Sequence, residues 1–116
     1  MGEYRILRFV GRARQELKAL PRRVYGEAGR WLKTVQEGKE PPDRKPMKSI
    51  GPGVAELRLR DSTGAYRVIY AAKFAEAVYV LHSFEKKSQK TSSQDLEVAR
   101  TRYRSLLRQR AHHRGI

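Results

Sequence analysis

The chain contains no cysteine, which excludes disulfide bonds, thiolate nucleophiles and cysteine-ligated metals. Acids are few: 12 Asp and Glu stand against 26 Lys and Arg among 116 residues, a formal net charge of +14 with a sequence pI near 10.7. No apolar run approaches the roughly 20 residues that a membrane-spanning helix needs. The N-terminus lacks the basic-then-apolar pattern of a secretion signal, so a cytoplasmic location is expected. A phosphate-cradling glycine loop, a dinucleotide fingerprint, a nucleophile elbow and His/Cys metal spacing are all missing. The acids are scattered and suggest no two-metal carboxylate cluster, so neither metal nor cofactor is expected. What remains is positive charge. Such an excess suits nucleic acid, bound through phosphate contacts and counterion release, and an acidic protein partner would fit it as well. The length suffices for one core, hence one domain over residues 1–116, with a basic tail from about residue 108 expected to be flexible.

The chain is organised around residues 53–91. Three runs dense in β-branched and aromatic residues, Gly53–Arg60, Tyr66–Tyr70 and Val78–Phe84, are separated by turn-forming clusters, which predicts a three-stranded antiparallel meander. Asp61-Ser62-Thr63-Gly64 closes the first hairpin, with Gly64 free to take φ > 0. If Arg60 faces Ala65, then Arg58 faces Arg67 and Leu57 faces Val68. If Lys73 faces Glu76 across the second turn, Val68 faces Leu81 and Arg67 faces His82. Leu57, Leu59, Tyr66, Val68, Tyr70, Tyr79 and Leu81 then share one face. Arg58, Arg67 and His82 form a row on the other, with Phe84 beside them. Like charges opposite one another destabilise a strand pair, so this row suggests a polyanion seated on it.

Around the meander, Glu3–Val10 reads as a first strand with Tyr4, Ile6 and Phe9 buried. Arg14–Leu20 reads as a short helix and Pro21 to about Glu37 as a second, with Val24, Ala28, Trp31, Leu32 and Val35 inward and Gly38 as the stop. The pair forms a helical hairpin over the apolar face of the sheet. Residues 39–53 form a connection carrying Arg44, Lys45 and Lys48, either a solvated linker or a loop touching RNA backbone. A last helix follows, capped by Thr91 or Ser92, with Thr91-x-x-Gln94 at capping-box spacing and Leu96, Ala99, Tyr103, Leu106 and Leu107 on its apolar stripe. Arginines 100, 102, 104, 108, 110 and 114 follow without an acid; they are a solvated face or a source of long-range attraction to RNA.

Arginine, lysine, tyrosine and one strand histidine in a basic setting suit metal-free RNA cleavage. A base takes the 2′-OH proton, the oxygen attacks phosphorus, cations hold the added charge and an acid protonates the leaving oxygen. Histidine carries protons near neutral pH and arginine matches phosphate oxygens in pairs.

The segments Gly53–Arg58, Tyr66–Tyr70 and Val80–Thr91, the last reading Leu81-His82-x-Phe84-x-Lys86-Lys87-x-Gln89-Lys90-Thr91, resemble the phage-derived Gp49-like (HigB-type) toxins of the RelE/ParE superfamily. The resemblance spans nearly the whole chain. It implies an α+β, RelE-like fold: an antiparallel sheet, an N-terminal helical hairpin packed on one face, and a C-terminal helix. It also implies a toxin that cleaves mRNA in the 30S A site of the ribosome and is neutralised by a helix-turn-helix antitoxin, whose contact surface should be acidic. By position, Arg67 stands for the phosphate-stabilising arginine and Arg58 for a second cationic contact. Lys86 and Lys87 stand for the basic residues after the last strand, and His82 falls where some members place a catalytic histidine. Arg67, His82 and Lys87 are therefore the catalytic candidates, and Arg58, Arg60, Lys86, Lys90, Lys48 and Lys45 the nucleic-acid contacts. Glu56 is read as an ion-pair partner of Arg58, or else as the base. A non-catalytic RNA- or ribosome-binding module and a ParE-like gyrase inhibitor are the alternative readings.

Overall fold

The computed structural model describes residues 4–114. Strand β1 (Ile6–Phe9) leads into helices α1 (Ala13–Lys18) and α2 (Arg22–Gln36). Strands β2 (Arg44–Pro46), β3 (Val54–Asp61), β4 (Gly64–Ala71) and β5 (Ala77–Lys86) follow, and α3 (Ser93–Arg114) closes the chain. The five strands form one sheet in the order β1-β5-β4-β3-β2.

Two features of this sheet differ from the expectation. It is mixed, because β1 runs parallel to β5; a pairing between segments some seventy residues apart leaves no turn between them to read. The connection after α2 also contributes an edge strand, β2, antiparallel to β3. Of the three residues expected to be buried in this first segment, Phe9 packs against the core and the other two do not. Tyr4 and Ile6 are exposed, while Leu7 and Phe9 are half-buried against the helices. Glu3 lies outside the described residues.

The sheet is covered on both faces. On one, Ala13, Leu17, Val24, Ala28, Leu32 and Val35 of the helical hairpin pack on Leu57, Leu59, Tyr66, Val68, Tyr70, Val78 and Val80. Helix α2 has its apolar residues at helical spacing, Pro21 at its N-terminal boundary and Gly38 at φ 79° just past its end. On the other face, Ala99, Tyr103 and Leu106 of α3 cover Ile69, Ala71, Phe74, Tyr79, Leu81 and Phe84. Ser92 caps α3: its hydroxyl accepts the Asp95 N–H at 3.1 Å and donates to the Asp95 carboxylate at 2.7 Å. Ser92, one of the two expected caps, is therefore the cap, and its partner is Asp95 rather than the Gln94 paired with Thr91 in the alternative. Leu107 is exposed, against expectation. The helix continues through Arg114, and Arg110 lies 3.9 Å over the Phe74 ring and pairs with Glu76 at 2.7 Å.

Gly51 is where α3 meets the connection before β3. A Cβ there would enter the Tyr103 ring, whose hydroxyl donates to the Pro52 carbonyl at 3.1 Å. Gly51→Ala should therefore destabilise the fold by about 2 kcal/mol through overpacking, read as a lower urea midpoint at unchanged slope.

Candidate nucleic-acid interface

The β3–β4 hairpin sets the geometry. The Asp61 carboxylate accepts the Thr63 N–H at 2.8 Å, tying the turn locally. The strands then pair as the sequence predicts: Arg60 with Ala65, Leu59 with Tyr66, Arg58 with Arg67 and Leu57 with Val68. Alternation puts Glu56, Arg58 and Arg60 on the face that α3 partly covers, with Arg67 across from Arg58.

The next strand pair departs from the prediction. Arg67 faces Phe84, Ile69 faces His82, and then Tyr70 faces Val80, so Leu81 is an unpaired extra residue. This bulge moves His82 out of the arginine row and transfers Tyr79 and Leu81 to the α3 side, leaving Val78 and Val80 under the hairpin. The row across the sheet is thus Arg58, Arg67 and Phe84, and Phe84 stacks on His82 at 4.9 Å between ring centres.

Arg67 is buried beside a buried acid. Its Nη1 donates to the Tyr66 carbonyl at 2.9 Å, and its Nε lies 3.6 Å from Glu56 Oε1, too long for a hydrogen bond. Arg67 Nε and Glu56 Oε2 both lack a protein partner. Burial pushes the Glu56 carboxyl above its ordinary range, against the opposing charges of Arg67, Lys45, Lys86 and Arg58. Burial likewise lowers the Arg67 guanidinium, with Glu56 opposing. Glu56 pairs with Arg67 and not with Arg58, which corrects the expectation. Arg58 is held instead by Asp43, 2.9 Å away from both its Nε and its Nη2. Trp31, Asp43, Arg58, Arg60 and Arg67 line a depression at the end of β3 that β2 does not reach.

His82 is engaged elsewhere. Its Nδ1 lies 2.9 Å from Glu16 Oε1 of α1 and its Nε2 lies 2.7 Å from Asp95 Oδ1 of α3. Glu16 also receives both Nη atoms of Arg102, at 2.8 and 2.9 Å, and the Ser83 N–H at 3.3 Å. Burial works against the charge on Glu16, but hydrogen bonds from His82, Arg102 and Ser83 outweigh it and hold the carboxyl at about 2. His82 thus ties α1, β5 and α3 together, and neither ring nitrogen is open to a substrate proton. The expected Arg67–His82–Lys87 constellation is not one cluster.

The remaining candidates are exposed or half-exposed cations. Lys86 donates to the Gln89 carbonyl, while Lys87 and Lys90 are exposed in the loop after β5. Lys45, opposite Glu56, and Lys48 are exposed on β2 and the following turn, and Arg60 is exposed near the end of β3. The structure draws Arg67, Arg58, Lys45 and Lys86 around Glu56, while Lys48, Lys87 and Lys90 are exposed cations of the connection and of the loop after β5. Sequence reasoning underrated Glu56. Its signal was position: an acid two residues from Arg58 in a strand whose facing partner carries Arg67.

The family model for phage derived protein Gp49-like matches residues 15–104. The chain belongs to the Gp49-like family. This Gp49-like chain is similar in fold to the free-state structure of an E. coli toxin RelE mutant carrying two arginine-to-alanine substitutions. The likeness has a TM-score of 0.61 at 22% identity, covering 81% of this chain and 96% of that one. No curated protein matches it. Both the mixed α+β architecture and the closing helix of this Gp49-like protein thus belong to the RelE-like fold. No helix among its described residues is long and apolar enough to cross a membrane.

Proposed function

We propose that this protein is the toxin of a toxin–antitoxin pair, an endoribonuclease that cuts mRNA on the ribosome and so stops translation in the cytoplasm. The observation that carries the reading is Arg67, desolvated beside Glu56 and ringed by Lys45, Lys86 and Arg58. A phosphodiester arriving there competes with Glu56 for the guanidinium. Arg67 and its neighbouring cations then hold the charge that builds on phosphorus. Glu56, released from its ion pair and of raised proton affinity, accepts the 2′-OH proton. The 2′-oxygen bonds to phosphorus, the P–O5′ bond breaks, and a cyclic phosphate forms; Lys86, one of the cations acting on Glu56, supplies the proton to the leaving 5′-oxygen. Arg60, Lys48 and Lys90 are assigned to the flanking backbone. The partner is a helix-turn-helix antitoxin with an acidic contact surface, matched to the net charge of +14. The RelE fold and the Gp49-like family membership support the toxin class.

The deciding experiment is a cell-free translation reaction with primer extension on the mRNA. Codon-phased cuts that require translating ribosomes are expected. Intact mRNA with folded wild-type protein would overturn the proposal.

A further inference from the structure

Helix α2 turns Val24, Ala28, Leu32 and Val35 into the core. At 100° per residue the opposite stripe consists of Arg22, Arg23, Gly26, Gly29, Arg30 and Lys33, every one exposed. Four cations and two glycines make up that face within α2, and the one acid in line with them is Glu37, the half-buried C-cap four residues after Lys33. Glu27 lies on its flank, half-buried, and Asp61 at the β3–β4 turn feels the charge of Arg23 without pairing with it. None of the four cations forms an ion pair among the described residues, whereas Arg44, Arg58, Arg67, Arg100, Arg102 and Arg110 all do. Arg30 and Lys33 are like charges three residues apart, an unfavourable spacing on a helix.

We propose that this stripe of α2 is a second RNA-binding surface, which grips the sugar–phosphate backbone of double-stranded RNA. It lies on the opposite side of the sheet from the face that carries Arg67. The cations extend over about 16 Å of helix, at about 1.5 Å per residue. Three of the four are arginines, which engage phosphate oxygens bidentately. A stable protein–protein interface has an apolar core depleted of charge, and here only Tyr25, at the margin, is a large exposed apolar residue. A phosphate backbone needs no such core. Gly29 has open space where a Cβ would stand, and Gly26 meets only the tip of Arg30. Nothing inside the fold therefore calls for glycine there, and the short residues leave the helix backbone open to a convex phosphate ridge. The choice of RNA over DNA rests on the proposed function; the presence of a polyanion surface does not.

The test compares two variants of equal net charge. One carries Arg22→Gln, Arg23→Gln, Arg30→Gln and Lys33→Gln. The control carries Lys39→Gln, Lys73→Gln, Arg104→Gln and Arg108→Gln, four exposed cations away from the stripe. Affinity for a duplex RNA oligonucleotide, the matching duplex DNA and a single-stranded RNA is measured by fluorescence anisotropy across a salt series. Circular dichroism confirms that both variants fold. The stripe variant is expected to lose at least tenfold more duplex-RNA affinity than the control. Its log K against log salt plot should be shallower than that of wild type by roughly three. Single-stranded RNA binding should fall equally in both variants. Equal losses of duplex-RNA affinity in stripe and control variants would reduce the effect to bulk charge and overturn the proposal. So would a stripe variant that keeps duplex RNA but loses its acidic antitoxin. A stripe-specific loss seen only on duplex DNA would overturn the RNA assignment and count against the mRNA reading. Absence of mRNA cleavage with the stripe-specific RNA loss intact would remove the nuclease reading and leave this surface standing.

Discussion

Arg67→Ala is expected to lower mRNA cleavage by about 10²–10³-fold, the usual cost of removing one preorganised group that stabilises transition-state charge. The substitution also strands Glu56, so it should cost about 3 kcal/mol of stability at neutral pH, as breaking a buried pair does. The pH dependence follows from Glu56. Burial raises its folded-state value above the unfolded one, so the penalty is absent below the unfolded carboxyl value, near about 4.3. It grows as pH rises toward the folded value. Removing Arg67 takes away an opposing cation and lifts that value further. Urea melts of Arg67→Ala should therefore sit close to wild type near pH 4 and well below it at pH 7. The double variant Arg67→Ala with Glu56→Gln carries no buried charge at the pair. It should recover most of the stability and none of the cleavage. Recovery of cleavage in the double variant would mean that Arg67 acts only through the fold.

Glu16→Ala is the second large effect, on stability. One carboxylate serves His82, the Ser83 N–H and both Nη atoms of Arg102, and its loss leaves those donors facing one another. The site keeps some contact with water, which screens the pairs. We expect a loss of about 2 kcal/mol, and a drop in Tm on the order of 8 °C for a domain of this size. The carboxyl is held at about 2 in the folded state, below its unfolded value. The stabilisation is therefore fully present above the unfolded value and lost as pH falls toward 2. Tm measured against pH for wild type and Glu16→Gln should show the widest gap at neutral pH and convergence near pH 2. Glu76 is also held at about 2 by Arg110, and the difference between the two curves removes its contribution. A gap that stays constant down to pH 2 would show that Glu16 does not stabilise through its charge.

Local chemistry made the β3–β4 hairpin legible. The Asp61–Gly64 turn sets the count, and alternation carries it outward to Arg58 opposite Arg67. The next pairing was hidden because Leu81 and His82 include no glycine or proline to mark a bulge. The extra residue matters only once α1 and α3 bring Glu16 and Asp95 to the imidazole. Tyr4 and Ile6 were misjudged for a related reason. With β1 at the edge of the sheet, the side facing α3 is left open, and an alternating strand does not reveal which of its faces is covered. At the site, spacing could assign Glu56 a face but not a partner. Its ion pair is diagonal across the hairpin, to Arg67, because Asp43 from the connection has taken Arg58.

The tie between Glu16 and Arg102 has a consequence for how the protein comes into being. Its two halves are 86 positions apart, and β1 likewise waits for β5 before it has a partner. During synthesis, the first helix leaves the ribosomal tunnel long before either anchor exists. Contacts of such long sequence separation form late and slowly. The newborn chain must release everything up to Arg102 before α1 and α3 can lock together. The domain proposed to attack translation would thus stay unfinished while most of the segment from β1 to α3 is still being made.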